Sequence, residues 1–373
     1  MAVDTERLAE LGRYGDRLRR AQEEMARQGV DALLVGPSSD LRYLLGLNAH
    51  VSERLNLLVL PREGNPSYVV PTLEAPQLAE LRDLVDVHAW EETQAPAALA
   101  AGLVGEGIGK RIAVGERLWS VFLLRLQDAI PGAEWRPATD LLRPLRAVKD
   151  GREIELMQEV ARRTDDAWEE FVARPLSGQT EAQALARLLE LTHGRGLGPG
   201  FGLCASGPNS ASPHHHTGDR VIQPGDAVVF DWGGTLEGYN SDVTRTVHVG
   251  PPDDEYRRVY DVVLSANQAA FDAVRPGVPC EEIDLAARSL IEAEGYGAAF
   301  IHRVGHGLGL DVHEEPYLVA GNAAPLEIGM IFSDEPGIYL EGRFGVRIED
   351  AVLCTDDGGE RLNNATRELT IVG

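Results

Sequence analysis

AVVFDWGGTLEGYNSDVTRTVHV, residues 227–249, decides how this chain of 373 residues folds. An apolar run ends at Asp231, Gly233, Gly234 and Gly238 follow, and a second β-rich run opens at Asp242. Strand-like runs on both sides of glycine-rich turns predict a β-hairpin, which brings the two carboxylates to one place. SDEPGIYLEGRFGVRIEDAVL, residues 333–353, repeats the arrangement with Glu335 and Glu349, and His306 stands in a further strand-like segment, HRVGHGLGL. Buried carboxylates do not stay charged without a counter-ion, and four of them around one imidazole repel unless cations lie between them. Two hard divalent ions are the economical explanation.

Outward from this hairpin, the C-terminal half predicts amphipathic helices over about 152–173 and 180–194, then strands, then helices over about 253–274 and 280–295, then strands again. Pro276 with Gly277, and Gly295, are ordinary helix stop signals. The order suggests two pseudo-equivalent α+β halves around one sheet. Before it, a polar helix over 1–29 leads into short β-rich runs, DALLVG, LNLLVLP, PSYVVP and RIAVG, separated by helical stretches such as LEAPQLAELRDL and SVFLLRLQDAI. This is an α/β pattern. Lys149, Asp150 and Gly151 break the chain between the two parts, and the boundary is placed at about 148.

Composition narrows the function. With 59 acidic and 35 basic side chains the formal charge is −24, which opposes nonspecific attraction to nucleic acid or anionic lipid. Small substrates or other proteins are the expected partners. The opening MAVDTERLAELGRYGDRLRRAQEEM has charges throughout and no apolar signal-peptide core, and no segment approaches the ~18 apolar residues of a membrane span, so a cytoplasmic protein is expected. Cys204, Cys280 and Cys354 are too few and too widely spaced for a disulfide framework or thiolate metal site and are read as buried structural residues.

The phrases around the ligands are more specific than their spacing: FDWGG, YNSDVTRT, GHGLGLDVHEEP, EPGIY and GVRIED. They resemble the metallopeptidases of the pita-bread fold, a family that includes methionine aminopeptidase, Xaa-Pro aminopeptidase and Xaa-Pro dipeptidase. The resemblance covers about 150–373, and residues 1–148 are similar to the smaller creatinase/prolidase-type α/β domain of the proline-directed members. It implies an α+β protein with an N-terminal domain over 1–148 and a catalytic pita-bread domain over 149–373. It also implies that Asp231 holds one metal, His306 and Glu335 the other, and that Asp242 and Glu349 bridge both, with a hydroxide between the ions as nucleophile. Mn²⁺ is expected, although oxygen and nitrogen ligands also admit Co²⁺, Zn²⁺ or Fe²⁺.

Seven of the ten histidines lie between 214 and 313. By the same resemblance, His214 in SASPHHHTGD holds substrate and stabilises the oxyanion, while His313 in GLDVHEEP orients substrate. His302, Tyr339 and Arg347 line the proline and product side, with Arg347 read alternatively as the partner of a ligand carboxylate. Glu335 is also the expected proton shuttle. His215 and His216 have no assigned role and read as a solvated loop. The chain has no GxGxxG, HExxH, GxSxG or Walker pattern. The expected activity is Xaa-Pro dipeptidase, with Xaa-Pro aminopeptidase as the alternative and a metal-free binding member of the fold as the non-enzymatic one. The resemblance further suggests a homodimer, in which Arg54 either reaches the partner's site to meet the substrate carboxylate or is a surface arginine.

Overall fold

The computed structural model describes residues 5–105 and 108–373, and the chain divides into two compact units, Met1–Arg146 and Ala147–Gly373. The first four residues of the helix expected over 1–29 lie outside the described residues, and the remainder forms Thr5–Gln28.

At the centre of the first unit, strand Ala32–Val35 is buried at all four positions and pairs antiparallel with Leu57–Pro61 and parallel with Arg111–Val114. Coverage of both faces is why these strands read as continuous apolar runs. Ser67–Pro71 and Asp86–Trp90 extend the six-stranded sheet on one side and Glu134–Pro137 on the other. The two outermost strands, DVHAW and EWRP, are largely exposed edges and carry no apolar run that would have marked them in advance. The expected helix over 73–84 winds only as a 3-10 helix, Ala75–Leu81. It buries just Leu78 and Leu81, too little apolar surface to hold a longer element.

The second unit starts with helices Gly151–Val172 and Glu181–Gly194, each opened by a reciprocal cap, Asp150 with Glu153 and Thr180 with Gln183. They back a four-stranded sheet in the order Thr370–Val372, Val243–Val249, Ala227–Trp232 and Gly202–Ser206. Trp168, Phe171, Phe230 and Trp232 fill the space between, with ring centroids 4.9–5.7 Å apart. Helices Asp254–Ala273 and Cys280–Ala293 then back a five-stranded sheet, Glu314–Leu318, Gly305–Gly307, Ile331–Asp334, Asp350–Cys354 and Gly359–Arg361, through Val259, Val263, Ala266, Ile283 and Ala287. Helices followed by strands occur twice, as the sequence predicts, but around two main sheets rather than one.

The separation has a local cause. Ile331–Asp334 pairs with Asp350–Cys354, and the same two chain segments continue as the hairpin of Gly337–Leu340 with Phe344–Arg347. Between them stands Pro336, which has no N–H to give. Ile348 N makes a long bond of 3.4 Å to Pro336 O, and Glu349 N turns away to Thr244 O of the first sheet at 3.1 Å. The ladder opens where Glu335 and Glu349 stand, and the isolated bridge Thr244–Glu349 joins the two sheets there.

Cys204, Cys280 and Cys354 are all free and buried, and no helix among the described residues is long and apolar enough to cross a membrane. Lys149 Nζ donates to Glu314 Oε1 at 2.8 Å, with both side chains almost fully buried. Lys149→Met would remove one half of a buried ion pair, and urea unfolding is expected to show a loss of about 3 kcal/mol or more.

Candidate metal centre

The pleat turns the first carboxylate toward the site. Phe230 and Trp232 point into the aromatic core, so Asp231 between them faces the other way. Asp231 lies opposite Thr244 across the strand pair, and Asp242 immediately precedes the second strand. His306 is carried by the short strand Gly305–Gly307, where a Cβ at either glycine would overlap a backbone carbonyl, that of Ser333 or of Glu315. Only glycines let the imidazole strand pack this closely between its neighbours. Glu335 and Glu349 arrive from the opened ladder. All five side chains line one cavity of about 740 Å³, together with His214, His302, His313, Arg303 and Arg347.

Donor atoms of Asp242, His306 and Glu349 lie within 4.8 Å of one another. His306 Nε2 is 3.1 Å from Glu335 Oε1 and 3.7 Å from Asp242 Oδ2. Its Nδ1 is 3.2 Å from Gly307 O, a carbonyl that can only accept, so Nδ1 carries a hydrogen and Nε2 is the ring atom that faces two carboxylates. A cation belongs in that space. Asp231 Oδ2 is 2.5 Å from Arg347 Nη2, while Asp231 Oδ1 is buried with no partner. An orphaned carboxylate oxygen beside an oxygen-and-nitrogen donor cluster fits a divalent ion.

Electrostatics agree. Burial, followed by repulsion from Glu349, Asp231 and Glu335, pushes the Asp242 carboxyl well above its ordinary range, and burial with Glu335 and Asp231 does the same to Glu349. Burial also raises Asp231, against the pull of Arg347. Glu335 goes the other way: burial would raise it, but the His306 hydrogen bond and the positive charges nearby bring it down to about 2. Desolvation first, then the proximity of His306, pushes His313 down to about 4, and the two rings meet edge to face at 4.1 Å.

The residues expected on the proline side form a chain of hydrogen bonds. His302 Nδ1 donates to Arg303 O at 2.7 Å, which makes Nε2 the acceptor for the Tyr339 hydroxyl at 2.8 Å. Arg347 Nη1 in turn donates to that hydroxyl at 2.9 Å. Burial lowers His302, so the ring is neutral as this direction requires. Tyr339 therefore stands behind the cavity wall with its hydroxyl shared by two neighbours, whereas His302 and Arg347 reach the cavity. Arg347 also spans Thr244 Oγ1 and Asp231, which is its alternative role as a carboxylate partner. Arg54, in the first unit, is engaged by Glu92 at 2.7 Å and Glu53 at 2.6 Å.

Sequence reasoning missed several contributors. Thr244 Oγ1 donates to Glu349 Oε2 at 2.7 Å, and Ser333 Oγ donates to Glu335 Oε1 at 3.1 Å. Each lies two residues from a carboxylate of its own segment, Asp242 or Glu335, so strand alternation was the available signal. Arg303, Phe201, Leu203, Val312 and Val319 complete the walls, and nothing in the sequence distinguishes them from ordinary loop and strand residues.

Comparison with known proteins agrees with this geometry. Residues 155–356 match metallopeptidase family M24 and residues 17–148 match the creatinase/prolidase N-terminal domain. The probable dipeptidase PepE of Mycobacterium tuberculosis is 41% identical over 366 residues, 96% of each chain. An Xaa-Pro dipeptidase of Pyrococcus horikoshii is 31% identical over 95% of this chain and 98% of its own. The crystal structure of a recombinant prolidase from Thermococcus sibiricus superposes with a TM-score of 0.92 at 38% identity, covering 96% of this chain and 99% of that one. With a buried acid-and-imidazole cluster at the junction of two helix-backed sheets, and a creatinase/prolidase N-terminal domain preceding them in sequence, this chain belongs to metallopeptidase family M24.

Proposed function

We propose that this protein is an Xaa-Pro dipeptidase that uses two divalent metal ions, Mn²⁺ by preference, held by Asp231, Asp242, His306, Glu335 and Glu349. The observation that carries the reading is the convergence of all five on one cavity of about 740 Å³, a size suited to a small ligand. The names of the relatives support the proline-directed dipeptidase activity. A pair of such ions supplies an acidified water and polarises the scissile carbonyl.

The protein's own groups do the rest. Glu335, well below the ordinary carboxylate range, is ionised at neutral pH and can take the proton of the attacking water. The leaving proline nitrogen needs that proton, which Glu335 delivers. His214 donates toward the oxygen that becomes negative, and His313, neutral because its environment resists the charged form, offers an N–H to the substrate without adding a charge. His302 and Arg347 bound the proline side, and Tyr339 fixes both of them. Thr244 and Ser333 orient Glu349 and Glu335. The reading includes a cytoplasmic homodimer, the latter checked by mass measurement in solution.

The metal-loaded protein is expected to release proline from Ala-Pro and to leave Ala-Pro-Ala intact. Cleavage of the tripeptide after alanine would make it an Xaa-Pro aminopeptidase, and no metal-dependent cleavage of either would make it a binding member of the fold. His214→Ala and His313→Ala are each expected to lower kcat/KM about 10²–10³-fold, as removal of a single transition-state donor does.

A further inference from the structure

His214 is exposed and sits in the segment 212–219, outside any helix or strand, yet its proposed task demands a fixed position at the cavity wall. A loop side chain is placed only as well as the backbone beneath it. Thr217 ties this backbone to Cys204, and a carboxylate, Glu181, wholly buried at the start of the helix Glu181–Gly194, reaches both of its flanks. Glu181 Oε1 accepts from Ser206 N at 2.7 Å, Ser206 Oγ at 2.7 Å and Asn209 Nδ2 at 2.9 Å, all upstream of His214. Glu181 Oε2 lies 3.0 Å from His215 Nε2 and accepts from Gly218 N at 3.3 Å, both downstream. The carboxylate thus staples the two flanks of the loop that carries His214. Because an ionised carboxylate only accepts, His215 donates through Nε2–H. Burial opposes ionisation of Glu181, but the bonds from Asn209, Ser206 and His215 outweigh it and hold the group below its ordinary range.

We propose that Glu181 and His215 are positioning residues for His214, tethering the imidazole that meets the substrate through a half-buried hydrogen bond on the adjacent residue. The inference rests on the role given to His214 above. His215 need not touch substrate, because its ring nitrogen is committed to Glu181. A neighbouring histidine in a row of three therefore has a different task from the first. Glutamine reproduces the donor at His215, whereas leucine fills similar space without it.

The test combines kinetics on Ala-Pro at saturating Mn²⁺ with nuclear magnetic resonance of the histidine rings in the Mg²⁺-loaded protein. His215→Leu should lower kcat about 10–100-fold with KM changed less than about threefold, the cost typical of removing a group that orients another. His215→Gln should recover most of that loss. On a His214→Ala background, His215→Leu should cost nothing further, since a residue acting through another is non-additive with it. The His214 ring resonance should broaden or split in His215→Leu and in Glu181→Gln, and stay single in His215→Gln. If His215→Leu costs as much on the His214→Ala background as in the parent, or leaves the His214 resonance unchanged, the positioning role is wrong. If His214→Ala alone costs nothing, the catalytic role of His214 fails, and the resonance still decides whether His215 and Glu181 hold it in place.

Discussion

Asp242→Ala is expected to lower hydrolysis of Ala-Pro by at least about 10³-fold, equivalent to about 4 kcal/mol of transition-state stabilisation. Asp242 is 3% exposed, and its donor oxygen clusters with those of His306 and Glu349. The same change should not unfold the protein. In the apo state the Asp242 carboxyl is forced well above its ordinary range by burial and then by Glu349, Asp231 and Glu335, so removing it relieves the cost of burying an acid there. Thermal melts of apo Asp242→Asn should match or exceed the parent, whereas added Mn²⁺ should raise the melting temperature of the parent far more than that of the variant. Ligand at about 1,000 times its Kd stabilises a folded protein by about 4 kcal/mol. Full turnover by Asp242→Ala would remove the metal centre as the seat of catalysis.

Metal affinity should rise steeply with pH. Asp242 and Glu349 both have raised values in the apo protein, so each binds a proton there that a cation must displace. The apparent association constant should therefore increase about tenfold per pH unit for each displaced proton, up to about a hundredfold for two. The increase continues until the pH passes those raised values. Titration calorimetry in two buffers of different ionisation enthalpy counts the protons directly, and a release of none would overturn the assignment. The stability of the apo protein carries the opposite sign. An acid whose folded value is raised stabilises the fold at low pH and ceases to do so as the pH climbs from the ordinary carboxylate range toward that value. Apo protein should weaken over that interval while metal-loaded protein does not.

Much of this was legible in advance for a physical reason. Strand alternation and glycine-rich turns are local properties, so residues 227–249 declared their hairpin and the pair Asp231 and Asp242 without any knowledge of the rest. The helices from 152 onward carried caps and stop signals within a few residues of their ends, and their observed bounds differ from the expected ones by no more than two residues. Edge strands such as Asp86–Trp90 went unread because half-exposed strands need no apolar run. The task of His215 went unread because Glu181 is thirty-four residues away in sequence. Tyr339 was read from the sequence as lining the proline side; in the fold its hydroxyl is shared by His302 and Arg347 and does not line the cavity, an arrangement set by side chains from distant segments.

By itself the sequence determined the two helix-then-strand passages of the second unit and the hairpin that pairs Asp231 with Asp242, because periodicity and turn chemistry are written in short segments. Only the tertiary structure decided that the ladder opens at Pro336, that Glu349 crosses to Thr244, and that one oxygen of Asp231 is left without a partner. Those outcomes depend on which backbone groups from distant segments compete for one another once the two sheets meet, and desolvation at that meeting sets the charge each carboxyl can bear.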